Sequence, residues 1–422
     1  MSGADRPLSK GEDACLLDMV EHAFDGEKPD LIGVAVSGGG DSMALLQLVA
    51  HVQAQRGGAV CAVTVDHRLR PEAADEARFV AASCGRIGVV HETLVWDHGA
   101  IAGNLQDQAR RARYRLVGNW AKAKGIGHVL LGHTADDQAE TFIMELAREA
   151  GIDGLSGMRR CWSERGIKWA RPLLGVPRAE LRGYLERNAV TWIDDPSNDD
   201  ERFTRVKSRR MLKALKPLGI TAEKLAGVAV NLSVARQALV EATAGTAERI
   251  AAIAAGEVVL DRREFQRMGP EISRRILIGA LRWVSGAEYA PRADAVIRVL
   301  IAIGSGRDTT LSGCRIRVSE SEIRIVREPK AVAGLEGPTD ALWDGRWRLS
   351  GPHGGGMVVG ALGAEGLRQC PDWRATGHSR SALIVSPGVW CGQCLVAAPV
   401  AGLKNGWTAK IVAGFHSFLL SH

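Results

Sequence analysis

The chain has 422 residues, 46% of them hydrophobic and 24% charged, with a formal charge of +6. Such a chain is long enough for two or three domains with buried cores, and its composition is that of a soluble globular protein. No stretch approaches the uninterrupted apolar length that spans a bilayer, which argues against a membrane partner. The first residues, Met1-Ser-Gly-Ala-Asp-Arg6, lack the charged-then-apolar pattern of a secretory signal. Five of the eight cysteines (Cys15, Cys61, Cys84, Cys161 and Cys314) stand alone in apolar settings, the usage of a reducing cytoplasm. The modest positive charge permits a nucleic-acid partner without requiring one, so the placement of charge matters more than its sum.

Residues 13–24 carry Leu16, Leu17, Val20 and Phe24 at helical spacing, and a short apolar run, Leu31–Val36, then reads as a buried parallel strand. Ser37-Gly-Gly-Gly-Asp-Ser42 is a glycine-rich turn, and apolar residues at 3.6-residue spacing follow from Met43 to Val52. A glycine-rich turn feeding a helix N-terminus gathers backbone N–H groups and the positive dipole end at one spot, which suits a phosphate. A dinucleotide fingerprint would need a further glycine after Gly40, and a Walker loop would need a lysine after its last glycine; neither is present. An ordinary strand–turn–helix joint, in turn, has no need of an Asp and two Ser at fixed offsets. Ser37, Gly38, Gly39, Gly40 and Ser42 can surround a pyrophosphate, and Asp41 can hold a divalent cation, Mg2+, beside it. The motif resembles the PP-loop of the ATP pyrophosphatases, which implies ATP as cofactor and cleavage to AMP and pyrophosphate.

Strands at Ala59–Val65, Val89–Trp96 and Gly127–Gly132 alternate with helices at 72–84, Asn104–Ala123 and from about Ala135. Alternation of this kind predicts an α/β, doubly wound parallel sheet of Rossmann type. Ligands of such sheets bind beyond the carboxyl ends of the strands, where strand order reverses. Ser37, His67 and His133 all fall at such ends, which makes the two histidines candidate nucleotide-binding residues beside the loop. After His133, Asp136, Asp137 and Glu140 share one helix face. An acidic helix N-terminus can be a solvated face favoured by the dipole. Opposite a phosphate loop, carboxylates that repel one another point instead to a metal or a cationic substrate, with Glu140 a second candidate Mg2+ ligand.

The helix from Asn104 carries Arg110, Arg111, Arg113 and Arg115, of which at least one can face the cleft and meet phosphate through its fork. Arg171-Pro-Leu-Leu174 reads as a last short strand or its exit, and Pro177 opens a helix to about Asn188. Arg202, Arg205, Arg209, Lys213 and Lys216 then recur at three- and four-residue steps with no acidic residue between Phe203 and Lys216. A solvated helix face would normally mix in Asp or Glu, so the stripe favours an RNA backbone. Three domains are expected: 1–216, 217–330 and 341–422. The second is mainly helical (222–254, Glu271–Val284 and Arg292–Ile303) with a hairpin at Arg315–Val318 and Glu322–Val326; the third is small and mixed, with β-like runs at Met357–Val359 and Ser381–Val385. Cys391-Gly-Gln-Cys394, set in what reads as a continuing strand from Val389 to Pro399, is a weak signal for zinc or redox chemistry without a second pair.

Taken in order, Ser37–Ser42, Asp66–Arg70, Ala109–Tyr114, Gly132–Thr141, Arg171–Leu174 and Asp195–Arg209 resemble the tRNA(Ile)-lysidine synthetases, and Trp343-Asp-Gly-Arg346 and Leu395–Pro399 extend the likeness more weakly. The resemblance implies a ligase with a two-step reaction on the wobble cytidine of a tRNA(Ile) with a CAU anticodon. ATP adenylates the oxygen at carbon 2, and the ε-amine of free L-lysine then displaces AMP. It also implies substrate or intermediate binding by Arg113 and Arg205, a place for His133 beside the nucleotide, and a role for Asp137 as base or as an anchor for the amine. Arg202, Arg205, Arg209 and Lys213 are the candidate tRNA-binding residues, and a homodimer is left open. The chain departs from the family in Arg68, where glycine is usual, and in Glu145 and Glu149-Ala150, where the family carries Arg and Arg-Gly-Ser. A tRNA thiolase of the same class would need cysteines near the loop; a non-catalytic RNA-binding protein would have no use for Asp41, Asp137 and Glu140 together.

Overall fold

The computed structural model describes residues 13–24, 26–69, 72–99, 105–194 and 204–421. The chain falls into two compact units, Met1–Arg236 and Gln237–His422. The first contains helices α1 (Ala14–Glu21), α2 (Gly40–Arg56), α3 (Ala73–Arg86), α4 (Leu105–Ala123), α5 (Ala135–Leu146), α6 (Ile152–Leu155), α7 (Arg178–Arg187) and α8 (Thr204–Leu215), and strands β1 (Leu31–Ala35), β2 (Ala59–Asp66), β3 (Val90–Val95), β4 (His128–Leu131), β5 (Cys161–Glu164) and β6 (Ile167–Ala170). Strand order is β3-β2-β1-β4-β6-β5. All neighbours are parallel except β5, which pairs antiparallel with β6 and closes the edge. That edge strand escaped the sequence reading because Cys161–Glu164 is short and polar at its end. Arg171–Leu174 proves to be the exit of β6.

The sheet has a core on each face, as period-two alternation requires. Along β4, Leu130 joins Leu45, Leu46, Leu48 and Val49 of α2 in one cluster, while Val129 and Leu131 pack with Val117, Trp120 and Ala121 of α4 in the other. Helix α2 buries Met43, Ala44, Leu45, Leu46, Leu48, Val49 and Val52, more than one stripe, because it lies between the sheet and other helices. α1, beginning at Ala14, and α7 complete that layer through Leu16, Leu181 and Leu185.

Helix α9 (Ala222–Ile250) carries the chain into the second unit. There, β7 (Ala251–Ala254), β8 (Glu257–Asp261), β9 (Thr309–Leu311), β10 (Cys314–Val318) and β11 (Glu322–Arg327) form an antiparallel sheet of order β7-β8-β11-β10-β9. The hairpin expected from the sequence is therefore the β10–β11 pair of a larger sheet. Helices α10 (Arg262–Arg267), α11 (Pro270–Ser285) and α12 (Ala293–Gly304) accompany it. Residues beyond 341 belong to the same unit: Phe415 and Leu419 of the last helix sit in one core with Ile276, Leu277 and Ala280 of α11. Two readings of this region are corrected. Ser381–Val385 is largely helix, Arg380–Leu383, because Ser379 caps its N-terminus by accepting from the Ala382 N–H. Val389–Pro399 is a hairpin in which Cys391 faces Cys394 across a turn, with Gly392 at φ 59°. Both are free, exposed thiols.

Leu46 is fully buried between the sheet and its covering helices. Leu46→Ala is expected to cost the first unit about 2–5 kcal/mol in denaturant unfolding; a loss within about 0.5 kcal/mol would contradict the placement of α2 in that core.

Candidate functional site

Strand order reverses between β1 and β4, and the loops leaving those strands meet there. After β1, Gly38 turns the chain at φ 87°, a region that favours glycine. Ser42 then knits the loop: its hydroxyl donates to the Gly39 carbonyl at 2.9 Å and accepts the Ser37 N–H at 3.1 Å, with Ser37 Oγ 3.3 Å away. Helix α2 starts at Gly40, so the loop ends on a helix N-terminus with Asp41 in its first turn. After β4, Gly132 runs close against this loop. A Cβ on Gly132 would lie 3.0 Å from both the Asp41 carbonyl oxygen and the Ser42 Cα.

Three carboxylates converge on one guanidinium. Arg178 Nε donates to Asp41 Oδ2 at 2.9 Å, Nη2 reaches Asp137 Oδ1 at 3.4 Å, and Nη1 lies 3.7 Å from Glu140 Oε1. The backbone supports the approach: the Arg178 N–H donates to Asp136 Oδ2 at 2.7 Å, and the Ala135 N–H donates to the Val176 carbonyl at 2.9 Å. Sequence reading missed Arg178. Its only local signal is its position just after Pro177 at the start of α7, facing an acidic segment about forty residues earlier. Glu140, 1% exposed, also accepts from Arg209 Nε at 2.6 Å. Arg209 thus belongs to this cluster, whereas Arg205 and Lys213 lie exposed on α8. Arg202 falls outside the described residues, as do Arg70 and Asp195 to Phe203.

Burial acts on all three acids, but the direction of the net shift differs. Burial raises Asp41 and Glu140 above the usual carboxylate range, although Arg178 acts against the shift at Asp41 and Arg209 against it at Glu140. Burial pushes Asp137 the same way, but Arg178 and the Thr134 N–H overcome it and hold this carboxyl below its ordinary value. Asp137 Oδ2 is committed to capping α5, accepting from Thr134 N and Thr134 Oγ1, each at 3.0 Å. Asp41 Oδ1 and Glu140 Oε2 are buried without a hydrogen-bond partner. Buried carboxylate oxygens without a partner are uncommon in folded proteins and mark a place that a further group can occupy.

The histidines are neutral. Burial lowers His133 to about 3 and His67 to about 4, with Arg171 adding to the first effect and Arg113 to the second. His67 follows β2 and packs edge-on against Trp96 at 5.7 Å. Arg68 takes φ 50° and its N–H donates to Asp66 Oδ1 at 2.8 Å, so a residue with a side chain holds this left-handed turn at a cost of about 1 kcal/mol. Glu149 likewise has φ 55°, and Glu145 pairs with Arg148 at 2.8 Å. Among the described residues, no group of three or more His, Cys, Asp or Glu is arranged to enclose a metal, and no single helix is long and apolar enough to cross a membrane.

Comparison with known proteins places the chain in a family. Residues 15–215 match the family model of the PP-loop domain, ATP_bind_3. The tRNA(Ile)-lysidine synthase of Ruegeria pomeroyi is 47% identical over 411 residues, covering 96% of this chain and 98% of that one. Its counterpart from Wolbachia pipientis is 33% identical over 345 residues, covering 78% and 80%. The U34-tRNA thiolase NcsA from Methanococcus maripaludis superposes with a TM-score of 0.46 at 14% identity over 54% of this chain and 80% of that one, too distant to bear on activity.

Because Gly132 faces loop backbone, which cannot rotate aside as a side chain can, Gly132→Ala is expected to weaken ATP binding at least about tenfold by equilibrium titration, with the melting temperature little changed. Unchanged affinity would show that the loop does not hold the nucleotide.

Proposed function

This chain belongs to the tRNA(Ile)-lysidine synthase family, and on that premise we propose that it joins free L-lysine to carbon 2 of the wobble cytidine of a tRNA(Ile) with a CAU anticodon, consuming ATP and releasing AMP and pyrophosphate. The observation that carries the proposal is the 47% identity to a named synthase over nearly the full length of both chains. The site supports it with an ATP loop and a buried acidic cluster at one switch point.

In the first step the cytosine oxygen at carbon 2 attacks the α-phosphorus of ATP, and negative charge grows on the departing pyrophosphate. Loop N–H groups from Gly38 to Ser42 and the α2 N-terminus stabilise that charge without having to reorganise. The unpartnered oxygens of Asp41 and Glu140 fit Mg2+, a hard cation that takes one or two carboxylates together with substrate phosphates. Bound there, the ion neutralises phosphate charge.

In the second step the lysine ε-nitrogen attacks carbon 2 and AMP leaves, which requires the ammonium to lose a proton first. Asp137, held ionised and tied to Thr134, is suited to orienting the amine. Glu140, with one free oxygen and a raised pKa, is suited to receiving the ammonium or its proton when it is not engaged with the ion. Arg113, whose charge acts on His67, and Arg205, whose charge acts on Asp137, are suited to meeting the adenylated intermediate. Arg205 and Lys213 of α8 offer the RNA backbone a cationic edge, and Arg202 extends that stripe in sequence. Cytoplasmic location follows from the substrates. The thiolase reading gains nothing from the cysteines: Cys84 is a core residue whose thiol burial pushes up to about 11, and Cys61 and Cys161 pack against the two sheet cores.

Incubated with ATP, radiolabelled lysine and unmodified tRNA(Ile), the protein is expected to place label in the RNA, and Asp41→Ala to reduce pyrophosphate release by about 100-fold or more. Sulfur transfer or RNA binding without lysine incorporation would overturn the proposal. Pyrophosphate release retained in Asp41→Ala would remove the role given to the loop.

A further inference from the structure

Arg171 is charged, 4% exposed, and unused by the reaction outlined above. All three of its nitrogens are engaged. Nη1 donates to the Arg159 carbonyl at 2.7 Å, Nη2 to the Tyr114 hydroxyl at 2.8 Å, and Nε to His133 Nδ1 at 3.2 Å. The guanidinium also stacks over the Trp162 ring at 4.2 Å, and Trp162 itself stacks on Trp169 at 5.9 Å. Held from four sides, this side chain has one orientation, and that orientation aims a donor at His133.

The geometry points to Arg171 as a positioning residue that fixes His133 in the Nε2–H tautomer, so that β4 ends in a neutral N–H donor for a phosphate oxygen of ATP. A guanidinium has five N–H donors and no acceptor. Nδ1 of His133 must therefore present its lone pair to Arg171, and the single ring proton resides on Nε2. A second proton on Nδ1 would collide with the Arg171 N–H, so the same contact keeps the ring uncharged. The assignment of the acceptor rests on the reading of this crevice as the ATP site: His133 follows Gly132, which lies against Asp41 and Ser42 of the phosphate loop. Lysine at 171 would not substitute. Its ammonium is a point charge without the planar fork that serves a carbonyl, a hydroxyl and an imidazole at once.

Long-range proton–nitrogen correlation on the full chain carrying 15N-histidine reads the tautomer directly, with the His133 signal assigned by its disappearance in His133→Gln. The expected spectrum shows protonated Nε2 and unprotonated Nδ1, with the Nδ1 resonance displaced in Arg171→Met. Kinetics supply the second arm. Arg171→Met and His133→Gln should each raise the KM for ATP about tenfold, and the double variant should be no worse than His133→Gln alone, because one acts through the other. A merely structural Arg171 would give losses that add. Protonated Nδ1 in the wild type, or additive losses, overturns the assignment. Should Arg171→Met fail to fold, Arg171→Lys takes its place in the cycle. The tautomer is read without turnover, so a wild type that transfers no lysine would count against the activity and not against Arg171.

Discussion

The site depends on one cation among carboxylates. Asp41 on α2 and Asp137 and Glu140 on α5 converge on one guanidinium, inside a fold whose burial pushes each carboxyl above its ordinary value. Arg178 makes the arrangement tolerable, and its own protonation is strengthened in return. It also couples three elements, since α7 delivers the guanidinium while α2 and α5 deliver its partners. Arg209 of α8 adds a second positive charge at Glu140, which is how the segment that resembles an RNA-binding stripe becomes part of the acidic cluster. Two buried oxygens remain unpaired even so. Unpartnered carboxylate oxygens beside a phosphate loop leave a place for one more polar or charged partner.

Backbone geometry sets the distance between the two halves of this crevice. Gly38 supplies the left-handed turn, and Gly132 lets the end of β4 touch the loop that follows β1. The hydroxyl of Ser42 then ties the loop to itself through Gly39 and Ser37. These features explain why the motif needs hydroxyls as well as glycines: the glycines permit the path, and the serines hold it.

Much of this was legible in the sequence because local patterns carry it. The apolar run of β1, the loop Ser37–Ser42 and the helical spacing after Met43 lie in one unbroken stretch from Leu31 to Val52, and each has a direct physical reading. The acidic face of α5 was legible by its three- and four-residue spacing. Arg178 was not, because its meaning lies in partners 41 and 137 residues away. Arg209 sits on the expected stripe, yet its spacing could not reveal that α5 packs beside α8 and draws the side chain inward. The hairpin at Cys391 and Cys394 was hidden because a tight turn there needs only Gly392 and one more residue. Ser381–Val385 was misread since a cap from Ser379 outweighs a run of β-compatible residues.

If Arg178 holds together the groups that serve both chemical steps, then both steps must fail when it is removed. The direct measurement is single-turnover kinetics of Arg178→Met with ATP, tRNA and lysine, following pyrophosphate release and lysine transfer separately. The expected result is a loss of about 100-fold or more in each, through Asp41 in the first and through Asp137 and Glu140 in the second. A variant that performs both steps at the wild-type rate would contradict the placement of the carboxylate cluster at the centre of this enzyme.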